Sequence, residues 1–485
     1  MLPEADHATP LQAFAALEQQ HGLFDFRIDG WSAWRVMRNP VFRINEGLPL
    51  AQPARSNLRR SLQALAATAK LLGLLASGPQ RQLLVKTCRS GLRLPQGDGF
   101  RDVYFDGLLQ RGHAYLKLEE INSPDFDQQA AKAIAKPQLD PVVFTFWGRV
   151  LGRLMPVRAL PFCQQVSGLL DQHLKLKIDP QWLLMRLSTV VWQARLFALL
   201  LKRVRPAAVL VADTGEYALS IACRRLGIRF IELQHGVFDA SHPDAVPAWV
   251  SGSDAALVLP HVLACRGEFW IDKLAGTRQA MGLAKPVGNE LIDLARARMS
   301  PRDARSAKHL VLTSQGLDSV RLAQWVVQMV AAAPSRPQWR LSIKLHPTYD
   351  AHTRDFDSLC SDPRIRVIAG ADLPNVFDLL IDADLHLSIT SACHFDAAAL
   401  GVPSVVVPLA GHEAMLDAVD GAQIFIAHTP AEVWRLATGP RADASQMHRF
   451  AAPGFVDNLQ RLLPTENTRT QEQPHHDPHS SHRHG

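Results

Sequence analysis

Along the chain, apolar positions gather into short unbroken runs, each closed by a polar turn and followed by a segment with helical spacing. Asp384–Ile389 is such a run and predicts a buried strand. Thr390 and Ser391 then stand where a helix N-cap belongs, Ala397–Leu400 continue a helix, Gly401 and Pro403 end it, and Val405–Pro408 predicts the next strand. The same plan occurs earlier, with Ala208–Ala212 as strand, Tyr217–Arg225 as helix and Ile228–Leu233 as strand. Leu226-Gly227 there matches Leu400-Gly401. Each stretch is half of a βαβ unit and implies a parallel sheet, so two of them far apart predict an α/β chain of two Rossmann-like domains.

Further strands are expected at Leu83–Thr87, Ala114–Leu118, Ala255–Leu259, Leu310–Thr313, Leu341–Lys344 and Ile365–Ile368. Helices are expected at Phe144–Leu154, Trp182–Arg203, Leu322–Ala333, around Leu263–Leu274 and at Phe455–Leu463, the last folding back on the first domain. Residues 94–107 read as a polar loop. Residues 29–43, with Trp31, Trp34, Arg35 and Arg38, predict a helix at the surface of the first domain. A short strand ending in Gly288-Asn289 marks the junction, giving a first domain over 1–288, a second over 289–463, and a disordered His-rich tail over 464–485.

Composition narrows the class. A chain of 485 residues, 47% hydrophobic and 20% charged, can fill two cores, and its net charge of +6 suits an anionic small molecule or membrane surface better than nucleic acid. The six cysteines form no CxxC pair or zinc spacing, which fits a reducing cytoplasm, and the N-terminus lacks a secretory apolar region. No apolar run reaches a membrane span. Residues 54–78 have the composition of a core helix, although the basic shoulder at Arg55, Arg59 and Arg60 would also suit a helix lying on an anionic membrane.

Four short motifs fall just after strands, where an open α/β sheet puts its ligands. His235, in LQHG, ends a strand and is followed by a glycine free to take positive φ; an imidazole there suits a general base. Lys344 and His346, in KLHP, lie two apart on an extended segment and project to one side, where a cation and an imidazole suit a diphosphate. Ser314, Gln315 and Gly316, after Thr313, form a loop suited to backbone contacts with phosphate. Thr390 and Ser391 at a helix N-terminus make an anion site, with Asp396 farther along positioned for a ribose hydroxyl. Asp382-Ala383-Asp384 has a metal-binding DxD form but leads into a buried strand and reads as structural, and His412-Glu413 lies where a donor sugar would end. There is no GxGxxG and no GxxxxGK[ST] loop.

With IELQHG, VGNELID, KLHP and the stretch from Ser388 to Leu409, the region from Leu201 to Leu409 resembles GT-B-fold transferases of bacterial surface-polysaccharide synthesis. Within that superfamily the capsule and lipopolysaccharide glycosyltransferases and the CDP-glycerol glycerophosphotransferases are most similar. The resemblance implies two Rossmann-like domains facing across a cleft. It also implies a metal-independent enzyme without cofactor, which moves a sugar from a nucleotide-sugar donor to a glycan or lipid-linked acceptor at the cytoplasmic face of the inner membrane. It assigns the catalytic base to His235 and donor contacts to Lys344, His346, Thr390, Ser391 and Asp396; the Ser314–Gly316 loop and Asn289 are expected as further donor contacts from their strand-end positions. The glycerophosphotransferases carry a lysine soon after their HG, where this chain has Val237 to Ala240, which favours a sugar donor. Sialyl- and Kdo-transferases share the HP motif and use an acidic base, to be sought at Asp213 or Glu216. A nucleotide-sugar 2-epimerase and a non-catalytic assembly protein of the same fold are the readings from other classes.

Overall fold

The computed structural model describes residues 10–47, 57–87, 93–119, 132–234, 236–299, 307–316, 318–346, 353–369, 374–439 and 446–464. They divide into two compact units. The first holds the chain up to Cys265, Ile271–Lys285 and Val456 onward; the second holds Arg266–Trp270 and Pro286–Phe455. Where the sequence suggested a division after residue 288, Pro286 already belongs to the second unit. The segment after Phe455 joins the first through Arg111–Asp457 at 2.8 Å and His113–Gln460 at 2.7 Å. The greater part of the His-rich tail, residues 465–485, lies outside the described residues.

The first unit is built on six strands: β1 (Leu83–Thr87), β2 (Tyr115–Glu119), β3 (Ala208–Val211), β4 (Arg229–Leu233), β5 (Val262–Cys265) and β6 (Ala284–Pro286), in the spatial order β2-β1-β3-β4-β5-β6. Pairings from β2 through β5 are parallel. Every residue of β3 is buried, as a central parallel strand covered on both faces must be. The order reverses direction between β1 and β3, so a crevice opens beyond the carboxyl ends of those two strands.

The helices of nine residues or more in this unit are α1 (Pro10–Gln20), α2 (Ala33–Asn45), α3 (Asn57–Ser77), α4 (Val142–Leu154), α5 (Leu160–Leu174), α6 (Pro180–Val204) and α7 (Tyr217–Arg225). Asp179 caps α6 by accepting from the Gln181 N–H at 2.9 Å, Pro180 starts it, and Arg205 ends it in the left-handed region at φ 51°. Although the sequence predicts no apolar run of membrane-spanning length, α6 is, among the described residues, one helix long and apolar enough to cross a membrane, yet half of its most apolar window is buried inside the fold. Helix α4 approaches it closely because Gly148 and Gly152 face it. A Cβ at Gly152 would lie 3.0 Å from the backbone of Ser188 and Thr189, and one at Gly148 would lie 3.0 Å from the Thr189 carbonyl.

Several local expectations change. Helix α2 is not a surface helix: Trp34, Arg35 and Arg38 are all buried, because the two arginines find acidic partners inside the unit. Residues 255–259 form a turn, not a strand, with Val258 at φ 53°; the strand is β5, after Pro260, so Leu263 lies in a strand and the following helix covers only Glu268–Lys273. Residues 93–102 form an antiparallel hairpin, Arg93–Gln96 with Gly99–Asp102, inside the expected loop.

The second unit is a sheet of β7 (Ala307–Thr313), β8 (Gln338–Lys344), β9 (Ile365–Ile368), β10 (Leu385–Ser388), β11 (Ser404–Val406) and β12 (Ile424–Ile426). Its order is β9-β8-β7-β10-β11-β12 and every pairing is parallel. Numbered within the unit this is 3-2-1-4-5-6, the order of the doubly wound dinucleotide fold, with its switch point between β7 and β10. Both units are therefore Rossmann-like, and the chain is α/β throughout.

Histidines are buried in this sheet. Ser404 Oγ lies 2.6 Å from Nδ1 of both His386 and His394, and the far side of His386 meets Thr313 Oγ1 at 2.9 Å. His309 Nε2 lies 2.9 Å from Ser342 Oγ. Burial holds all three below the ordinary imidazole range, His309 at about 4 and His394 at about 3, so they are neutral in the folded unit. Their stabilising contribution is complete above about pH 6.5 and is lost as pH falls toward those folded values, at up to about 1.4 kcal/mol per pH unit for each group. Thermal melts between pH 7.5 and 5 should show stability falling with acidity, and His309→Gln should flatten that fall; an unchanged slope would contradict the assignment.

Candidate functional site

At the switch point of the first sheet, β3 runs out into Ala212, Asp213, Thr214, Gly215 and Glu216 before α7 begins at Tyr217. Gly215 has φ +84°, a conformation that L side chains rarely adopt, and this turn sets Asp213 and Glu216 at the strand end. Lys86, next to last in β1, forms an ion pair with Glu216. Register places Lys86 beside Val211 and Val211 beside Glu232 of β4, so Lys86 and Glu232 share one face of the sheet. Burial and the neighbouring Glu216 charge push the Asp213 carboxyl up to about 6, against the pull of Lys86. Burial pushes Glu232 up to about 8, with Arg35 opposing and Asp244, Asp213 and Glu216 adding to the rise. A carboxyl that titrates near neutral pH at a strand end can take a proton from a hydroxyl group.

The loop after β4 is clamped from below. Asp244 is buried and accepts from Arg35 Nη1 at 3.0 Å, from the Tyr217 hydroxyl and from Asn39 Nδ2 at 2.5 Å, while Arg35 Nη2 donates to the Asp244 carbonyl at 3.0 Å. Arg38 donates at 2.7 Å to both the Pro243 and Ala245 carbonyls and pairs with Glu18. Burial would raise the Asp244 carboxyl, but Arg35, His242 and Tyr217 hold it below the ordinary range. His235 itself lies outside the described residues; beside it, Gln234 Nε2 donates to the Gly236 carbonyl at 3.0 Å, and Gly236 has φ +73°.

In the second unit the switch point is flanked by the ends of β7 and β10. Ser388 Oγ donates to the Thr313 carbonyl at 2.7 Å, and the Ser314 N–H donates to the Lys344 carbonyl at 2.9 Å, which joins three strand ends. Ser314 is buried, Gln315 half-buried, and Gly316 exposed with φ +69° and its N–H 3.4 Å from Ser314 Oγ. Lys344 is buried and its Nζ donates to the Ala369 carbonyl at 2.9 Å, while His346 is half-buried two residues on.

The helix after β10 starts later than the sequence suggested. It spans Cys393–Ala399 with Ala392 as N-cap, because Ser391 Oγ accepts from the Cys393 N–H at 3.2 Å in a turn that precedes it. The N–H groups of His394, Phe395 and Asp396 are taken by the Ser391 and Ala392 carbonyls, so these four donors are already engaged. Thr390 is half-buried. Asp396 forms an ion pair with Arg266 at 3.1 Å; burial raises its carboxyl and Arg266 opposes. Asn289 caps the Glu290–Arg298 helix, accepting from Leu291 N–H at 2.8 Å. Asp384 accepts from the His309 N–H at 2.9 Å, a structural contact within the strand pair, and His412 Nδ1 lies 2.9 Å from the Leu409 carbonyl. Among the described residues no three of His, Cys, Asp and Glu come together to hold a metal ion.

Asp213 and Glu216 are thus brought together in the first unit, and Ser314 and Lys344 in the second. The sequence carries no expectation for Glu232 or Asp244, and Arg35 is expected there only within a surface helix. Glu232 could have been noticed as a charge inside the apolar run of β4, whereas Arg35 and Asp244, 209 positions apart, carry no local signal.

No protein-family model matches the chain, and no curated protein matches it. Solved structures of similar layout include the UDP-GlcNAc 2-epimerase of Methanocaldococcus jannaschii, at 12% identity over 78% of this chain and 98% of that one with a TM-score of 0.43. The glycosyltransferase of kitacinnamycin is 14% identical over 80% and 100%, at 0.46, and Acinetobacter baumannii MurG 12% identical over 79% and 99%, at 0.44. Likenesses this distant decide nothing about activity.

Removing Asp244 leaves Arg35 buried and unpaired, which costs about 3–5 kcal/mol. Asp244→Ala should lower the unfolding midpoint of the first unit accordingly in calorimetry, and a shift equivalent to less than about 1 kcal/mol would show that the clamp is dispensable.

Proposed function

We propose that the protein is a metal-independent glycosyltransferase of the GT-B type, which moves a sugar from a nucleotide-activated donor to a glycan or lipid-linked acceptor in bacterial surface-polysaccharide synthesis. The observation that carries this reading is the Asp213 carboxyl, held near neutral pH at the switch point of the first sheet beside Lys86 and Glu216. In the transferase reading Asp213 removes the proton from the acceptor hydroxyl as that oxygen bonds to the anomeric carbon and the bond to the donor phosphate breaks, with Glu216 tied to Lys86 beside it. The donor lies at the carboxyl edge of the second sheet, with Ser314, Gly316, Lys344, His346 and Ser391 nearest its diphosphate. Lys344 and Asp396 must exchange their present partners to take part, so donor binding would release the Ala369 and Arg266 contacts.

An acidic base favours one branch of the resemblance, the transferases of CMP-activated acidic sugars, over the His235 mechanism. The apolar side chains Leu62, Leu65 and Leu72, exposed on one side of α3, support peripheral contact with the membrane that would carry a lipid-linked acceptor at its cytoplasmic face. A 2-epimerase would act on the donor alone, and an assembly protein would not bind nucleotide.

Calorimetric titration with CMP, CDP, UDP and GDP should find one that binds the wild type. That binding should weaken about tenfold or more in His346→Ala, the worth of a charge-assisted hydrogen bond. Asp213→Asn should leave it intact while reducing sugar transfer by about 10²–10⁴-fold. Undiminished transfer by Asp213→Asn would remove the base from this position, and conversion of donor without acceptor would favour the epimerase.

A further inference from the structure

Above the strand ends of the first unit lies a cavity of about 590 Å³, within the size range of small-molecule sites. Its floor is Lys86 with Gly215, Glu216 and Tyr217, and its walls are α4 and α6. Thr145, Arg149 and Arg153 are spaced four apart on α4 and so line one helix face. Arg186, Thr189 and Gln193, three and four apart, line one face of α6, and Gln193 Nε2 donates to Thr145 Oγ1 at 3.2 Å across the gap. The close approach at Gly148 and Gly152 fixes these two faces against each other.

The charges here do not balance. Lys86 and Glu216 neutralise each other, but Arg149, Arg153 and Arg186 form no ion pair or hydrogen bond with any described residue. Nε of Arg186 is buried without a hydrogen-bond partner. Unpaired guanidinium groups repel one another and concentrate positive potential in a concave site, and an entering oxyanion relieves both costs while accepting paired N–H donors.

We infer that this cavity binds the anionic part of the acceptor, a phosphate or a sugar carboxylate, beside the turn that carries Asp213. That the anion belongs to an acceptor rests on the transferase reading; the binding of an anion does not. The geometry places the anion on α4 and α6 and the reacting hydroxyl toward the β3 end, so the cavity selects acceptors with negative charge near the hydroxyl.

The test is calorimetry on the full chain at low ionic strength, with glucose 1-phosphate, glucose 6-phosphate, glucuronate and neutral glucose as probes. At least one anion should bind, weaken as salt is added, and lose tenfold or more in affinity in Arg149→Gln/Arg186→Gln and in Arg153→Gln. Arg153 is exposed, so its variant should keep the wild-type melting temperature and circular dichroism even if the double variant does not. Lys344→Ala, in the second unit, should leave the binding unchanged. Preference for the phosphates or for glucuronate then identifies the anion. Failure of every anion to bind, binding equal to that of glucose, or binding lost in Lys344→Ala but kept in the arginine variants would overturn the inference. Nucleotide affinity is a separate readout, so either assignment can fail alone.

Discussion

Asp244 is a buried carboxylate, and its ion pair with Arg35 is the interaction on which the first unit's site depends. Burying two charges costs several kcal/mol for each ion unless their hydrogen-bonding groups are met. Here the carboxylate meets Arg35, Tyr217 and Asn39, and of the Arg35 nitrogens only Nε lacks a partner. The pair ties three pieces together: helix α2, the first residue of α7, and the loop that follows β4. With Arg38 gripping the carbonyls on either side of Asp244, that loop is fixed to a helix instead of lying free on the surface.

A second consequence is electrostatic. Asp213, Glu216, Glu232 and Asp244 gather near one end of the sheet, with Lys86 and Arg35 as the cations that make the gathering tolerable. Burial raises the carboxyls of Asp213 and Glu232 most, and Asp244, fully paired and ionised, adds to that rise together with Glu216. One structural ion pair therefore helps to set the protonation of a residue at the strand end. Beyond these carboxylates the arginines of α4 and α6 present the opposite sign.

The strand-turn-helix plan at 208–233 and 385–406 was legible because it is local: an apolar run, a hydroxyl or glycine turn and a Leu-Gly stop each have a physical cause within a few residues. Strand order was not, since the two units share this plan yet one runs 2-1-3-4-5-6 and the other 3-2-1-4-5-6. The apolar stretch before Pro260 read as a strand, but Val258 takes the left-handed region and the chain pairs only after the proline. Helix α2 read as a surface helix because arginines usually are exposed; its partners Glu18 and Asp244 lie elsewhere in the sequence. Hydroxyls at 390 and 391 looked like a cap, and Ser391 does take up the first helical N–H, from one position before the N-cap. The cationic wall of the cavity was present in the sequence as Arg149 and Arg153, four apart in an otherwise apolar helix, but Arg186 joins them only through the crossing of α4 and α6.

The central claim is a division of labour, with nucleotide at the carboxyl edge of the second sheet and an anionic acceptor at the switch point of the first. Hydrogen exchange followed by mass spectrometry, with and without the nucleotide that binds, tests it most directly. The account predicts that nucleotide slows exchange in peptides covering 313–316, 344–346 and 388–396 and leaves those covering 142–154 and 180–193 unchanged. Protection confined to the α4 and α6 peptides would contradict it, because the donor would then occupy the cavity assigned to the acceptor.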